Sequence, residues 1–403
     1  MTMPILSPID PGGVMTLFIR RILASIVLGL VLALPAQAFD TSAKAAFVFD
    51  MTTGTVLLDK NADMPLPPAS MSKLMTLYVA FEAIRDGRLS LEERLPVSRH
   101  AMSYGGSTMF LDTTDRVRVE DLLRGIIVLS GNDACAVIAE ALSPDGSEAG
   151  FADFMTQRAQ QMGMTNSTFK NSNGWPAPGH EMSMRDLALL ARRIITDFPD
   201  FYPMFAETEF LFDGRAPRNS GNRNPLLNLG VGADGLKTGH TEQAGYGLTG
   251  SAKQGDRRVV FVLSGLETAQ ARAREAEAIV NWAFRQFARK SVVKAGEEVA
   301  RAPVWMGETD SVGLTPAEDV STLMPVLGSD TLKAEVVFTG PVRAPVQKGD
   351  KIAELVFAPE GLPETRVPLV AAEDVAKGGF AARLRTVSGL LLMRLQQGPE
   401  GAL

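Results

Sequence analysis

One cysteine, Cys135, and three histidines, His100, His180 and His240, are all that 403 residues offer of the two commonest transition-metal ligand types. A lone cysteine forbids an intrachain disulfide, so the fold has to be held by its core. Cys135 lies in an apolar helical run, where an inert buried thiol is expected. The histidines stand far apart and none belongs to a His-Glu-x-x-His pair, which argues against a zinc peptidase. No metal and no cofactor is expected. Basic charge is also in deficit: the formal net charge of −6 has the wrong sign for a nucleic-acid partner. Internal repeats and low-complexity tracts are absent. With 45% hydrophobic and 21% charged residues the chain fits neither wholesale disorder nor a multi-span membrane protein.

The one long apolar run, Ile22 to Leu34, is short for a bilayer span and follows Arg20 and Arg21; Ala36-Gln37-Ala38 closes it. A basic start, an apolar middle and an Ala-x-Ala end predict a secretory signal peptide over residues 1–38, cleaved after Ala38, with Met15 as the expected start. The mature protein is then expected outside the cytoplasm, in the periplasm.

What is present begins as a sheet. Lys44 to Lys60 holds two apolar runs around Thr52-Thr53-Gly54, a hairpin pattern. Pro65, Pro67 and Pro68 stop it, and Ser70 opens a helix whose Leu74, Leu77, Tyr78, Phe81 and Ile84 recur at helical spacing. Helices are predicted over 119–129, 133–142, 151–162 and 184–195, strands at 245–250 and 258–263, and a closing helix over 271–287. That order predicts one α+β domain, residues 39–290, whose sheet is assembled from both ends of the segment. Residues 291–378 change to short β-type runs and predict a small β-rich domain. In residues 379–403, Phe380 to Leu395 forms an amphipathic pattern, apolar on one face, with Arg383, Arg385 and Arg394 available to the other. Such a helix suits a membrane surface, packing on the protein being the alternative.

Three short patterns carry chemistry. Ser70-Met71-Ser72-Lys73 sets a hydroxyl and an amine one helical turn apart on the same face. Two other Ser-x-x-Lys matches, Ser167 to Lys170 and Ser291 to Lys294, lie in polar surroundings; only Ser70 precedes a long apolar helix, where a lysine can be desolvated into a neutral base. Ser130-Gly131-Asn132 adds a second hydroxyl and an amide on a tight turn, although Ser220-Gly221-Asn222 repeats it. Lys237-Thr238-Gly239 is the one Lys-[Ser/Thr]-Gly in the chain and, on an edge strand beside the serine, would offer positive charge, a hydroxyl and room for a substrate backbone. An anionic, extended substrate follows from that combination.

Through PASMSKLMT, GGSTMFL, SGNDAC, NGWPAPGHEMS and DGLKTGHTEQAGYGLTGSA, residues 45–290 resemble the penicillin-recognising serine enzymes, and more closely the low-molecular-mass penicillin-binding proteins that are D-alanyl-D-alanine carboxypeptidases. The resemblance implies a β-lactamase/transpeptidase-like domain: an antiparallel sheet flanked by helices, with a helical subdomain. It implies Ser70 as nucleophile, Lys73 as general base and Ser130 as proton carrier, with Asn132 holding the peptide. Lys237, Thr238 and Gly239 would meet the terminal carboxylate, and the backbone N–H groups of Ser70 and His240 would form the oxyanion hole. Arg223 and Arg274 match arginines near the family's carboxylate pocket. Ser107, in the Gly105-Gly106 loop, is expected beside substrate and Trp175 as a packing residue. The implied partners are the peptidoglycan stem peptide and, as covalent inhibitors, β-lactams.

Rival readings remain on sequence grounds. A D,D-endopeptidase or transpeptidase would share the same residues. A class A β-lactamase needs a glutamate in Glu-x-x-x-Asn, and Glu140, Glu148, Glu181, Glu207 and Glu209 all lack the asparagine. A non-catalytic wall-binding scaffold would be expected to lose Ser70, Lys73, Ser130 or Lys237, and all four stand.

Overall fold

Strand β1, Ala45–Asp50, is buried along its whole length. Its side chains alternate between two cores: Ala45, Phe47 and Phe49 face one, Ala46 and Val48 the other. A sheet covered on both faces follows directly. The computed structural model describes residues 39–215, 218–327, 332–380 and 384, which belong to one unit beginning at Phe39. The expected leader, and Phe380 to Leu395 apart from Phe380 and Leu384, lie outside the described residues.

In chain order, β1 pairs with β2 (Val56–Lys60), and a 3-10 turn, Ala69–Ser72, leads into α1 (Lys73–Arg85). A small ribbon of β3 (Arg94–Pro96) and β4 (Arg116–Arg118) brackets α2 (Arg99–Met102). Then come α3 (Val119–Arg124), α4 (Asn132–Leu142), α5 (Glu148–Gln161) and α6 (Met184–Asp197). The chain returns to the sheet with β5 (Ala233–Thr241), β6 (Gly245–Gln254) and β7 (Arg257–Leu266), and closes it with α7 (Ala269–Arg285). The strand order is β2-β1-β7-β6-β5, antiparallel throughout, so the two ends of the segment meet at β1 and β7 and β5 is left at an edge.

The expected helix over 119–129 is split. After Arg124 the chain makes one wide π turn, Gly125–Leu129, and Ser130 takes a left-handed conformation at φ 63°. Gly125 has no Cβ because Met109 fills that space. The wide turn ejects Ser130 from the helix toward the cleft, a use to which π turns are often put. Core packing does most of the holding: Leu74, Met75, Leu77 and Phe81 of α1 are fully buried, each stabilising by about 1.5–3 kcal/mol.

The β-rich part starts earlier than expected, because β8 (Phe287–Val293) spans the boundary drawn at 290. It pairs with β11 (Val320–Pro325), while β9 (Ala300–Trp305), β10 (Ser311–Pro316), β12 (Ala334–Phe338), β13 (Val342–Arg343), β14 (Lys351–Phe357) and β15 (Thr365–Ala371) make a six-stranded sheet. At the junction Arg257 of β7 bridges the buried Asp50 carboxylate at 2.9 Å and donates to the carbonyls of Ala283 and Phe287, where α7 ends and β8 begins.

Candidate active site

Ser70 stands in the second position of the 3-10 turn, and the turn puts its hydroxyl over the first residue of α1. There Lys73, with no exposed surface, directs Nζ at three oxygens: Ser70 Oγ at 2.9 Å, Asn132 Oδ1 at 2.8 Å and the Asn173 carbonyl at 2.6 Å. Burial pulls its pKa down to about 8; Arg223 adds to this, while Cys135, Asp133 and Glu148 oppose it. A neutral amine has two N–H donors and one lone pair. The amide and carbonyl oxygens can take the two donors, which leaves the lone pair for the Ser70 hydroxyl. This arrangement can deprotonate the serine.

On the opposite side Lys237 Nζ donates to Ser130 Oγ at 2.9 Å. Lys237 is buried, and burial, reinforced by Lys73 and Arg223, holds its pKa well below the ordinary lysine value. Asn132 opens α4, its amide N–H donating to Ser107 O at 2.7 Å and its side chain to Gly105 O at 2.8 Å. The buried Asp133 carboxylate receives the N–H groups of Met109, Leu111 and Ala134 and so fixes the loop against α4. Gly239 of β5 is required by close approach: a Cβ there would lie 2.8 Å from the Pro68 carbonyl.

These residues border a cleft of about 700 Å³ lined by Ser70, Gly106, Ser107, Asn132, Asn173 and His240, among others. Trp175, expected as packing, is 45% exposed and lines the cleft wall, with Gly106 tight against its ring. His240 is exposed and stacks on Tyr246 at 3.8 Å.

The two arginines part company. Arg223 donates to Ser107 Oγ at 2.9 Å and to the Leu129 carbonyl, one residue before Ser130. Arg274 is exposed on the outer face of α7 and is not brought to the site. Arg272, two residues earlier, is buried, with its guanidinium over the Tyr246 ring and donating to the Arg223 backbone carbonyl. Arg272 Nε has no partner. Among the described residues, Arg223 and Arg272 have no carboxylate within ion-pair distance, so their positive charge is open to an anionic ligand.

The look-alike motifs resolve into structure. Ser167 is buried on Asp186, Ser291 lies in β8, and Asn222 closes a loop through the Glu207 carbonyl. Cys135 is buried, and burial pushes its thiol up to about 12. Beneath the site His180 accepts the Lys170 N–H through Nδ1 at 3.2 Å, which leaves Nε2 to donate to Ser72 Oγ at 2.7 Å.

The model for the D-alanyl-D-alanine carboxypeptidase family matches residues 33–268, and that for the C-terminal domain of penicillin-binding protein 5 matches residues 287–377. The chain belongs to the D-alanyl-D-alanine carboxypeptidase family. As a member it is a serine-type hydrolase of the penicillin-binding proteins, with an α+β body and a β-rich C-terminal part. D-alanyl-D-alanine carboxypeptidase DacC of Escherichia coli K12 is 37% identical over 86% of this chain and 88% of its own. Penicillin-binding protein 5 of Haemophilus influenzae has a structure similar to 85% of this carboxypeptidase and 99% of its own chain, with TM-score 0.75 and 32% identity. Penicillin-binding protein D2 of Listeria monocytogenes, solved in an ampicillin-bound form, is similar at TM-score 0.55 and 31% identity over 62% of this chain and 100% of its own.

Proposed function

We propose that this carboxypeptidase removes the terminal D-alanine of peptidoglycan stem peptides through an acyl-enzyme on Ser70. The observation that carries the assignment of roles is the Lys73 amine, whose two neutral N–H groups have acceptors in Asn132 and Asn173 while Ser70 faces the remaining position. Lys73 takes the Ser70 proton as Oγ attacks the carbonyl between the two terminal D-alanines. The backbone N–H groups of Ser70 and His240 receive the oxyanion. As the tetrahedral adduct collapses, the C–N bond breaks and Ser130, held by Lys237, passes a proton to the departing amine. Water then hydrolyses the ester.

Asn132 holds the peptide, and its terminal carboxylate meets Lys237, Thr238, Arg223 and Arg272, with Gly239 making room for the strand-like backbone. β-Lactams imitate this substrate and acylate Ser70. No carboxylate among the described residues hydrogen-bonds to Ser70 or Lys73, which supports a slowly hydrolysed adduct rather than β-lactamase turnover. Residues 1–38 direct export to the periplasm. Phe380 and Leu384 are 82% and 60% exposed, and the amphipathic sequence pattern from Phe380 to Leu395 suits contact with the outer face of the inner membrane; truncation after Gly379 should move the protein to the soluble fraction.

The test is mass spectrometry after incubation with benzylpenicillin, with D-alanine release from a pentapeptide measured alongside. A lasting adduct on Ser70, absent in Ser70→Ala together with D-alanine release, is the expected result. Rapid return of unmodified protein with hydrolysed drug means a β-lactamase, and an adduct elsewhere removes Ser70 from the mechanism.

A further inference from the structure

Glu148 is a buried carboxylate that the acyl-transfer steps leave unused. It is the first residue of α5, and its two oxygens are shared between two other segments of chain. Oε1 accepts the N–H of Ser172 at 2.9 Å and the Ser172 hydroxyl. Oε2 accepts Tyr104 Oη at 2.7 Å and lies 2.6 Å from His100 Nε2. Burial pushes this carboxyl up, but the hydrogen bonds from Ser172, Tyr104 and His100 together hold it below its ordinary value. It is therefore an anion at neutral pH.

Ser172 is held from the other side as well, its carbonyl accepting from Thr76 of α1. The next residue is Asn173, whose carbonyl oxygen is one of the three partners of Lys73 Nζ. Tyr104, in turn, packs edge-on against Trp175 across the cleft rim. One carboxylate thus joins the loop carrying Gly105 to Ser107 to the turn carrying Asn173 to Trp175.

We infer that Glu148 is a positioning residue for the base: it clamps Ser172 so that the Asn173 carbonyl meets Lys73 Nζ, and it keeps a fixed negative charge beside that contact. The inference rests on Lys73 being the base. The charged and titratable groups that face Lys73 are Arg223 and Lys237, which disfavour its proton, and Asp133, Cys135 and Glu148, which favour it; His180 lies beneath. Cys135 stays a neutral thiol, so Asp133 and Glu148 are the anions of this set. Asp133 follows Asn132 and holds the 109–111 loop, whereas Glu148 holds Ser172, the residue before Asn173. Glu148 itself is met directly by His100 and Tyr104, and its charge also acts on Cys135, His180 and Lys73.

The clamp and the charge separate experimentally. Glu148→Gln keeps the shape and removes the charge; Ser172→Ala keeps the charge and removes half the link. The readout is the acylation rate constant with a slow-reacting penicillin, resolved from the binding constant, against pH. Acylation should rise as Lys73 loses its proton. Removing an anion favours the neutral amine, so Glu148→Gln should move that rising limb to lower pH by several tenths of a unit or more. Ser172→Ala should lower the plateau several-fold with the limb unmoved, and Glu148→Asp should recover the limb position. A limb at the wild-type pH in folded Glu148→Gln overturns the inference, as does a wild-type plateau in Ser172→Ala. If Glu148→Gln does not fold, Ser172→Ala decides by its plateau, and a wild-type plateau there overturns the inference. A wild-type profile with no rising limb overturns the base assignment itself.

Discussion

Gly174 sits so close to Ala69 that a Cβ on it would lie 1.9 Å from the Ala69 carbonyl oxygen. Its φ of +80° also belongs to the left-handed region. Gly179, a few residues on, has nearly the same φ, +78°, but its nearest neighbour is the flexible end of Lys170 at 3.4 Å. Alanine at Gly179 should cost about 1–2 kcal/mol from backbone conformation alone. Gly174→Ala should cost that and a further 1–3 kcal/mol of overpacking, and by shifting the Ala69–Ser70 turn should lower acylation by about 100-fold. Urea denaturation and penicillin acylation of the two variants make the comparison; equal acylation would mean that the turn tolerates displacement.

Lys73 links activity to stability. Its native pKa of about 8 lies below the ordinary 10.5, so between those values the native state binds fewer protons than the unfolded chain. Stability contributed by this site therefore rises with pH through that window. The unfolding free energy of wild type minus that of Lys73→Met should grow from pH 8 to 10.5 by up to about 3 kcal/mol, at 1.36 kcal/mol per pH unit. The same variant should acylate about 100- to 10,000-fold more slowly. A pH-independent difference in stability would show that the buried amine keeps its proton.

Arg272 and Arg274 form a paired test on one helix. Arg272→Gln should raise KM for a D-alanyl-D-alanine peptide by about 10- to 100-fold, the range for a charged hydrogen bond, and should leave a terminal amide analogue little affected. Arg274→Gln should change neither. An equal effect of Arg272→Gln on both peptides would mean that it acts through packing on Tyr246.

His180 should govern part of the acid limit of stability. Burial, aided by Lys73, holds its native pKa at about 4 against an ordinary 6.5. In that range the unfolded chain takes up a proton that the native state refuses, so stability falls as pH drops from 6.5 to 4. The loss from this group is about 3 kcal/mol. His180→Gln should flatten that part of the pH–stability curve, and an unchanged slope would assign the acid limit to other groups.

The sheet, its two-ended assembly and the Ser70, Ser130 and Lys237 segments were legible because each announces itself by side-chain type or spacing. Asn173 was not, since it meets Lys73 through a backbone carbonyl that any residue could supply. Arg272 could have been found: Ala276, Ile279, Val280 and Ala283 mark the buried face of α7, and Arg272 stands one helical turn before Ala276, whereas Arg274 is half a turn away from that face. The π turn before Ser130 escaped because its residues, Gly125 to Leu129, read as ordinary helix. In residues 291–378 only the β-rich texture was legible, because short strands in a small sheet have few residues on which to show a period.

The contact of Arg257 with Asp50, Ala283 and Phe287 reaches beyond local stability. A single guanidinium is fastened at once to the first strand of the sheet, to the end of its last helix and to the start of the strand that leaves it. Such a fixture removes the slack at which a linker would bend. A load on the β-rich part is therefore shared, through Arg257, with the first strand of the catalytic sheet.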